Sequence, residues 1–166
     1  MARLASAAGH EVIGTSSCDL DITDRAAVLA LVRSVRPRIV VNTAYRADSW
    51  AVSADGAAHV ALAATGARLV HISTDALHSG RNRPYSDDEP PTPVHMYGAA
   101  KAAAETAVAA IDPAALIVRT STSGPVTRSR RRGAAHRAVP GPGPPIVAER
   151  DELVVHRGVS ADVRSG

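Results

Sequence analysis

The amino-acid sequence predicts an α/β domain built on a doubly wound parallel sheet, followed by an irregular tail. Three observations lead there. Short runs rich in β-branched residues, such as "RIVVN" at 38–42 and "RLVHIS" at 68–73, are apolar along most of their length, as strands covered on both faces are. Stretches with helical spacing separate those runs. Hydroxyl, amide and carboxylate side chains gather directly after the runs, at the end of such a sheet where ligands sit.

The elements follow in order. "EVIGT" (Glu11–Thr15) is a short strand after a Gly-His break. "TDRAAVLALVRSVR" opens with the capping residues Thr23 and Asp24 and then sets Val28, Leu31, Val32 and Val35 on one helical face. Pro37 ends that helix, and the strand at 38–42 follows. A second helix covers about 50–64, and Thr65-Gly66 leads into the strand at 68–73. A loop rich in Pro and acids precedes an Ala-rich helix over 97–110. Asp112-Pro113 stops it, and "ALIVR" at 115–119 is the last clean strand. From about residue 122 no period persists beyond "DELVVH", and "PGPGPP" and "RSRRRG" read as breakers and a run of like charge. The division expected is therefore a domain over 1–121 and a disordered Arg/Pro/Gly-rich tail over 122–166.

Composition narrows the function classes. The chain has no Phe, one Trp and 45% apolar residues, mostly small, so its core depends on close backbone approach. One cysteine, Cys18, excludes an intramolecular disulfide and a cysteine-based zinc site, and suits a cytoplasmic location. His59, His78 and His95 show no metal-ligand spacing, and no metal is expected. His71, inside a strand, reads as a packed core histidine. No apolar run reaches the roughly 20 residues of a membrane span, and the opening residues form no signal-type apolar region. The net charge of +3 belongs to the tail, because residues 1–121 carry 11 basic and 12 acidic side chains. The tail has no aromatic side chain for base stacking, so a nucleic-acid partner is not expected.

The chemistry concentrates in "YGAAK". Tyr97 and Lys101, the sole lysine, lie one turn apart on one helix face. A phenol with an ordinary pKa near about 10 is a poor proton donor or acceptor at neutral pH. A lysine cation held nearby favours the phenolate and moves the group toward the working range. Ser73, Thr74 and Asp75 end the strand before this helix, where a hydroxyl is placed to bond a substrate carbonyl.

With "HISTD" ahead of Tyr97-x-x-x-Lys101, "VVNTA" upstream and "IVRTS" downstream, the sequence resembles the extended short-chain dehydrogenase/reductases. Within them it is similar to the dTDP-4-dehydrorhamnose reductase branch, on "DLDITD", "VRPRIVVNTA", "PVHMYGAAKAAAE" and "ALIVRTS", over about residues 3–121. The resemblance implies a Rossmann-like domain and NADP- or NAD-dependent reduction of a keto-sugar nucleotide, a small-molecule substrate. It implies Tyr97 as general acid, Thr74 orienting the carbonyl, and Lys101 holding the cofactor ribose and lowering the Tyr97 pKa. It further implies Asp19 and Leu20 beside the adenine, and Thr43, Ala44 and Tyr45 along the cofactor's middle. Ser73, Thr120 and Ser121 complete the cofactor-binding set, and a homodimer is in keeping with the family.

The family's first strand and its G-x-x-G-x-x-G phosphate turn have no counterpart in "RLASAAGHEVIGT". The expectation is thus a partial Rossmann-like sheet lacking its first strand and glycine loop. It would be a reductase fragment, inactive as given, with cofactor binding in question. The alternative is a non-catalytic nucleotide-binding or regulatory subunit of the same fold.

Overall fold

The first helix, α1 (Arg25–Val35), begins where the sequence says it should. The Asp24 carboxylate accepts hydrogen bonds from Ala26 N at 2.9 Å and Ala27 N at 3.0 Å, satisfying two amides that the helix itself leaves free. It ends with Arg36 in the left-handed region (φ 49°), its N–H bonded to the Val32 carbonyl, immediately before Pro37. These coordinates are a computed structural model, which describes residues 6, 7, 9–81, 85, 86 and 88–120, and the backbone of 153–157.

Around α1 stand β1 (Glu11–Thr15), β2 (Ile39–Asn42), β3 (Arg68–Thr74) and β4 (Leu116–Thr120). A π-helical turn (Ala51–Asp55) runs into α2 (Gly56–Ala63), a 3-10 turn (Asp75–Leu77) follows β3, and α3 spans Met96–Ile111. Each expected element is present within one or two residues of its expected bounds. β2 pairs with β3, and β3 with β4, all parallel, with Val40 opposite Leu69 and Ser73 opposite Arg119. This is the parallel α/β sheet that the sequence predicts.

The fifth strand was not part of that expectation. β5 (Leu153–Arg157) comes from the tail and lies between β1 and β2, so the sheet order is β1-β5-β2-β3-β4. It runs antiparallel to both neighbours, with Val155 opposite Ile13 on one side and Val40 on the other. It fills the slot between two strands that are parallel to each other, β1 and β2. Two parallel strands one strand-width apart present unpaired N–H and C=O rows to each other, and β5 satisfies both rows. Direction is not fixed by the backbone alone, because either orientation can bond. The remaining residues of the tail lie outside those described.

The helices pack side by side, α1 on α2 and α2 on α3. Val28, Val32 and Val35 of α1, Val60 and Ala61 of α2, and Ala104 and Val108 of α3 join Val40 and Leu69 in one core cluster. Along β3, Leu69, His71 and Ser73 are buried while Val70 and Ile72 are only half-buried. The closely covered face is therefore the one that carries the helices. Small side chains make that cover tight. Gly98, in the first turn of α3, meets the turn after β3 so closely that a Cβ there would fall within van der Waals contact of the Ala76 carbonyl oxygen. No helix among the described residues is long and apolar enough to cross a membrane.

Two outcomes are expected. Gly98→Ala forces α3 off this turn and costs about 1–3 kcal/mol of stability by urea titration; an unchanged midpoint counts against the close approach. Val155→Pro removes one ladder N–H from β5, and amide exchange at Ile13 and Val40 should accelerate; unaltered exchange there argues against β5 in this slot.

Candidate functional site

The C-terminal ends of β2, β3 and β4 and the start of α3 converge. His95 caps α3, its Nδ1 accepting from Gly98 N at 3.0 Å. The loop before it is pinned by Thr92 N donating to the Leu77 carbonyl at 3.0 Å. This docking sets Tyr97 against the end of β3, close enough for the Thr74 hydroxyl to act on its phenol. Thr74 is buried, and its Oγ1 also accepts from Ala76 N at 3.2 Å. The Tyr45 ring, just past β2, lies 5.7 Å from the Tyr97 ring at a 49° tilt. On its other side His95 lies nearly parallel at 6.4 Å.

The Tyr97 phenol is pushed above its ordinary pKa, chiefly by burial and next by Tyr45. The Thr74 hydroxyl pulls the other way, and nearby Asp75 adds to the rise. Such a phenol holds its proton at neutral pH. Lys101 lies one turn along α3, yet its ammonium position faces inward: Nζ is 2.7 Å from the Ile72 carbonyl and 3.2 Å from His71 Nε2. Burial lowers the Lys101 pKa to about 8, against an opposing pull from Glu105. Glu105 is itself held by Arg119 of β4, with Nη2 at 2.8 Å from its carboxylate.

Thr120 Oγ1 donates to the Ser73 carbonyl at 3.1 Å, tying β4 to β3 at their ends. Among the described residues the buried Ser73 Oγ meets no hydrogen-bond partner. Thr43 and Ala44 are buried just past β2. Ser121 lies outside the described residues. A cavity of about 340 Å³ opens at the ends of β1 and β2, lined among others by Thr15, Ser16, Leu20, Asp21, Ala44 and Arg46. Leu20 and Ala44 are thus brought to one wall. Asp19 is not: it turns to Ser16, accepting from its N at 2.9 Å and its Oγ at 2.7 Å, and these bonds hold its pKa below the usual carboxylate range.

The segment 43–46 joins the two regions, since Ala44 lines the cavity while the tilted Tyr45 ring lies beside Tyr97. Ser53 fixes it, donating to the Arg46 carbonyl at 2.7 Å and accepting from Arg46 N at 3.0 Å. A dinucleotide would thus find a nucleoside-sized cavity at one end and a proton-bearing cluster at the other. Its pyrophosphate does not find a cradle between them. A parallel strand in the central slot would leave the sheet at this edge and feed a helix whose first amides hold phosphate. β5 instead enters here, with Leu153 opposite both Thr15 and Asn42. The described residues therefore fit the two ends of a dinucleotide and not its middle.

Sequence reasoning missed three contributors. His71 was expected in the core and is fully buried, but it also touches Lys101. Its place two residues before Ser73, on the same strand face, was the available signal. Asn42 bonds His71 at 3.3 Å. Arg46 on the cavity wall had no sequence signal, since its position depends on the Ser53 contact.

Comparison with known proteins agrees with this geometry. The family model for the RmlD substrate binding domain matches residues 1–123. The dTDP-4-dehydrorhamnose reductase of Mycolicibacterium smegmatis is 37% identical over 135 residues, covering 73% of this chain and 41% of that protein. The Streptomyces griseus enzyme of the same name is 40% identical, covering 68% of this chain and 42% of its own length. Among solved structures, dTDP-4-dehydrorhamnose reductase from Bacillus anthracis in complex with NADP superposes with a TM-score of 0.60 at 36% identity, over 63% of this chain and 42% of that one. The Clostridium acetobutylicum ortholog gives a TM-score of 0.61 at 31% identity, with the same coverage. The chain spans about two fifths of the length of these relatives. With residues 1–123 matching the family model and the strand-end cluster in place, this chain belongs to the RmlD substrate binding domain family.

Proposed function

We propose that the chain carries the proton-donating half of an NAD(P)-dependent reductase acting on a keto-sugar nucleotide. We propose further that, arranged as here, it does not turn over. The observation that carries the first part is the placement of Tyr97 beside Thr74 at the end of β3, with Lys101 one turn further on and held at the Ile72 carbonyl. The names of the relatives supply the reaction class, reduction of dTDP-4-dehydrorhamnose, and one neighbour was solved with NADP.

In this reading Tyr97 is the general acid. Its raised pKa keeps the phenol protonated, so it has a proton to give as a carbonyl oxygen gains negative charge. Thr74, beside it, offers a second hydrogen bond to the same oxygen. Thr43, Ala44 and Tyr45 would run along the cofactor, Ser73 and Thr120, with Ser121, would stand near its reactive end, and Leu20, with Asp19 nearby, would flank the adenine. Lys101 would serve the cofactor ribose after leaving its present partners. A cytoplasmic, homodimeric protein is part of this reading.

The second part rests on β5, whose entry at the central edge takes the place of a phosphate-holding helix start. A non-catalytic nucleotide-binding subunit is the second reading, favoured by a cavity that stands apart from Tyr97.

Two measurements decide between these statements. Titration of the chain with NADPH, followed by fluorescence or calorimetry, should show no binding; micromolar affinity would overturn the claim that the middle of the site is lost. A chimera carrying residues 11–120 in place of the matching segment of the M. smegmatis relative should reduce dTDP-4-dehydrorhamnose. In that chimera Tyr97→Phe should lower turnover by about 10²–10⁴-fold while leaving NADPH binding intact. A chimera that folds and binds NADPH without turnover supports the regulatory reading instead.

A further inference from the structure

Lys101 is 2% exposed and ends a run of buried hydrogen bonds whose directions can be assigned atom by atom. At the far end, Ala44 N donates to Asn42 Oδ1 at 3.0 Å. A backbone amide can only donate, so the side-chain atom it faces is the oxygen, and the other is the amide nitrogen. That nitrogen stands 3.3 Å from His71 Nδ1 and has only hydrogens to offer. Nδ1 must accept, which makes the imidazole neutral with its proton on Nε2. Nε2 is 3.2 Å from Lys101 Nζ. An Nε2–H there needs a lone pair on the lysine. An ammonium has none, whereas a neutral amine has one and keeps an N–H for the Ile72 carbonyl at 2.7 Å.

Every arrangement with a cationic lysine breaks one contact. If Nζ donates to Nε2, the imidazole proton moves to Nδ1 and meets the Asn42 amide hydrogens. If Asn42 is turned over to accept that proton, its NH2 group meets the Ala44 N–H. Either way two donors face each other in a site closed to water, where an unmet polar group is costly.

We infer that Asn42 and His71 form a positioning pair that holds Lys101 as a neutral amine, its hydrogen directed at the Ile72 carbonyl and no cation presented to Tyr97. The inference deepens the role proposed above for Lys101 and rests on that reading for its bearing on Tyr97; its test needs neither cofactor nor turnover, so the two fail separately.

The surrounding charges are consistent with it. On α3, Glu105 favours the cation, but its carboxylate already accepts from Arg119 of β4. Tyr97 is one turn back, with Tyr45 and Asp75 around it rather than around Nζ. Burial is the larger influence on Lys101, and it is also the main cause that lowers His71 to about 3.

The chain's single lysine makes the test direct. With ¹³C-labelled lysine, one Cε resonance reports the Lys101 titration, and its midpoint should lie below about 7, so that the amine is neutral at neutral pH, against the usual value of about 10.4; a midpoint above about 7 overturns the inference. The ¹⁵N shifts of His71 should show a pyrrole-type Nε2 and a pyridine-type Nδ1. His71→Gln places a carbonyl oxygen before Nζ, and the lysine midpoint should rise by about one pH unit or more. Asn42→Asp accepts a proton on Nδ1, so the histidine tautomer should switch and the lysine midpoint should again rise. A wild-type His71 protonated on Nδ1, or a lysine with an ordinary midpoint, overturns the inference even if both variants fail to fold. So does a folded His71→Gln chain whose lysine midpoint stays put or falls.

Discussion

Everything in the site depends on how closely the first turn of α3 approaches the turn that ends β3. Gly98 lies against the Ala76 carbonyl with no room for a side chain. Because it does, Tyr97 reaches the Thr74 hydroxyl, and one turn later Lys101 reaches the Ile72 carbonyl. A helix lifted by even one methyl group would separate both pairs. The Ala-rich face behind Gly98 serves the same end: Ala100 and Ala104 are buried almost completely, and neither holds the helix away from the sheet. A core without phenylalanine is therefore not a weak substitute for a bulky one. Its small side chains are what let helix and sheet backbones come within reach of one another.

The same closeness governs electrostatics. Tyr97 and Lys101 are both displaced toward their neutral forms by burial, the phenol upward and the amine downward. In water at neutral pH a tyrosine and a lysine one turn apart are phenol and ammonium, and the cation draws the phenol's pKa down. In this packing desolvation is the largest influence on each group, and the phenol keeps its proton. That state suits a proton donor, and it means that proximity in sequence does not by itself deliver the expected effect of a lysine on a tyrosine. The inward turn of Lys101 is decided by His71 and a strand carbonyl, which lie about 30 positions away in the chain.

The sheet shows a different constraint. Parallel strands β1 and β2 stand one strand apart, and their facing polar rows must be met. β5 meets them from the tail, in the opposite direction. Hydrogen bonding is thus completed while the function of the slot changes, because an antiparallel strand brings an entering chain to the edge where a parallel one would send out a helix.

How much of this could be read from residues alone follows from the range of each interaction. Strand runs, helix faces, the Asp24 cap and the Pro37 stop are local, set by backbone preference and periodicity, and they appear where the sequence puts them. The convergence of Thr74, Tyr97 and Lys101 was also legible, since strand ends in a parallel sheet share one edge. Asp19 turns to Ser16 through a local bond that the sequence did not announce, and Arg46 was missed because a contact seven residues away aims it. By itself the sequence determined the elements, their order and the acid with its neighbouring lysine. Only the tertiary structure decided the direction of the strand in the central slot, the partners of Lys101 and the protonation of His71. Those depend on which distant donors and acceptors are left facing each other once water has been excluded.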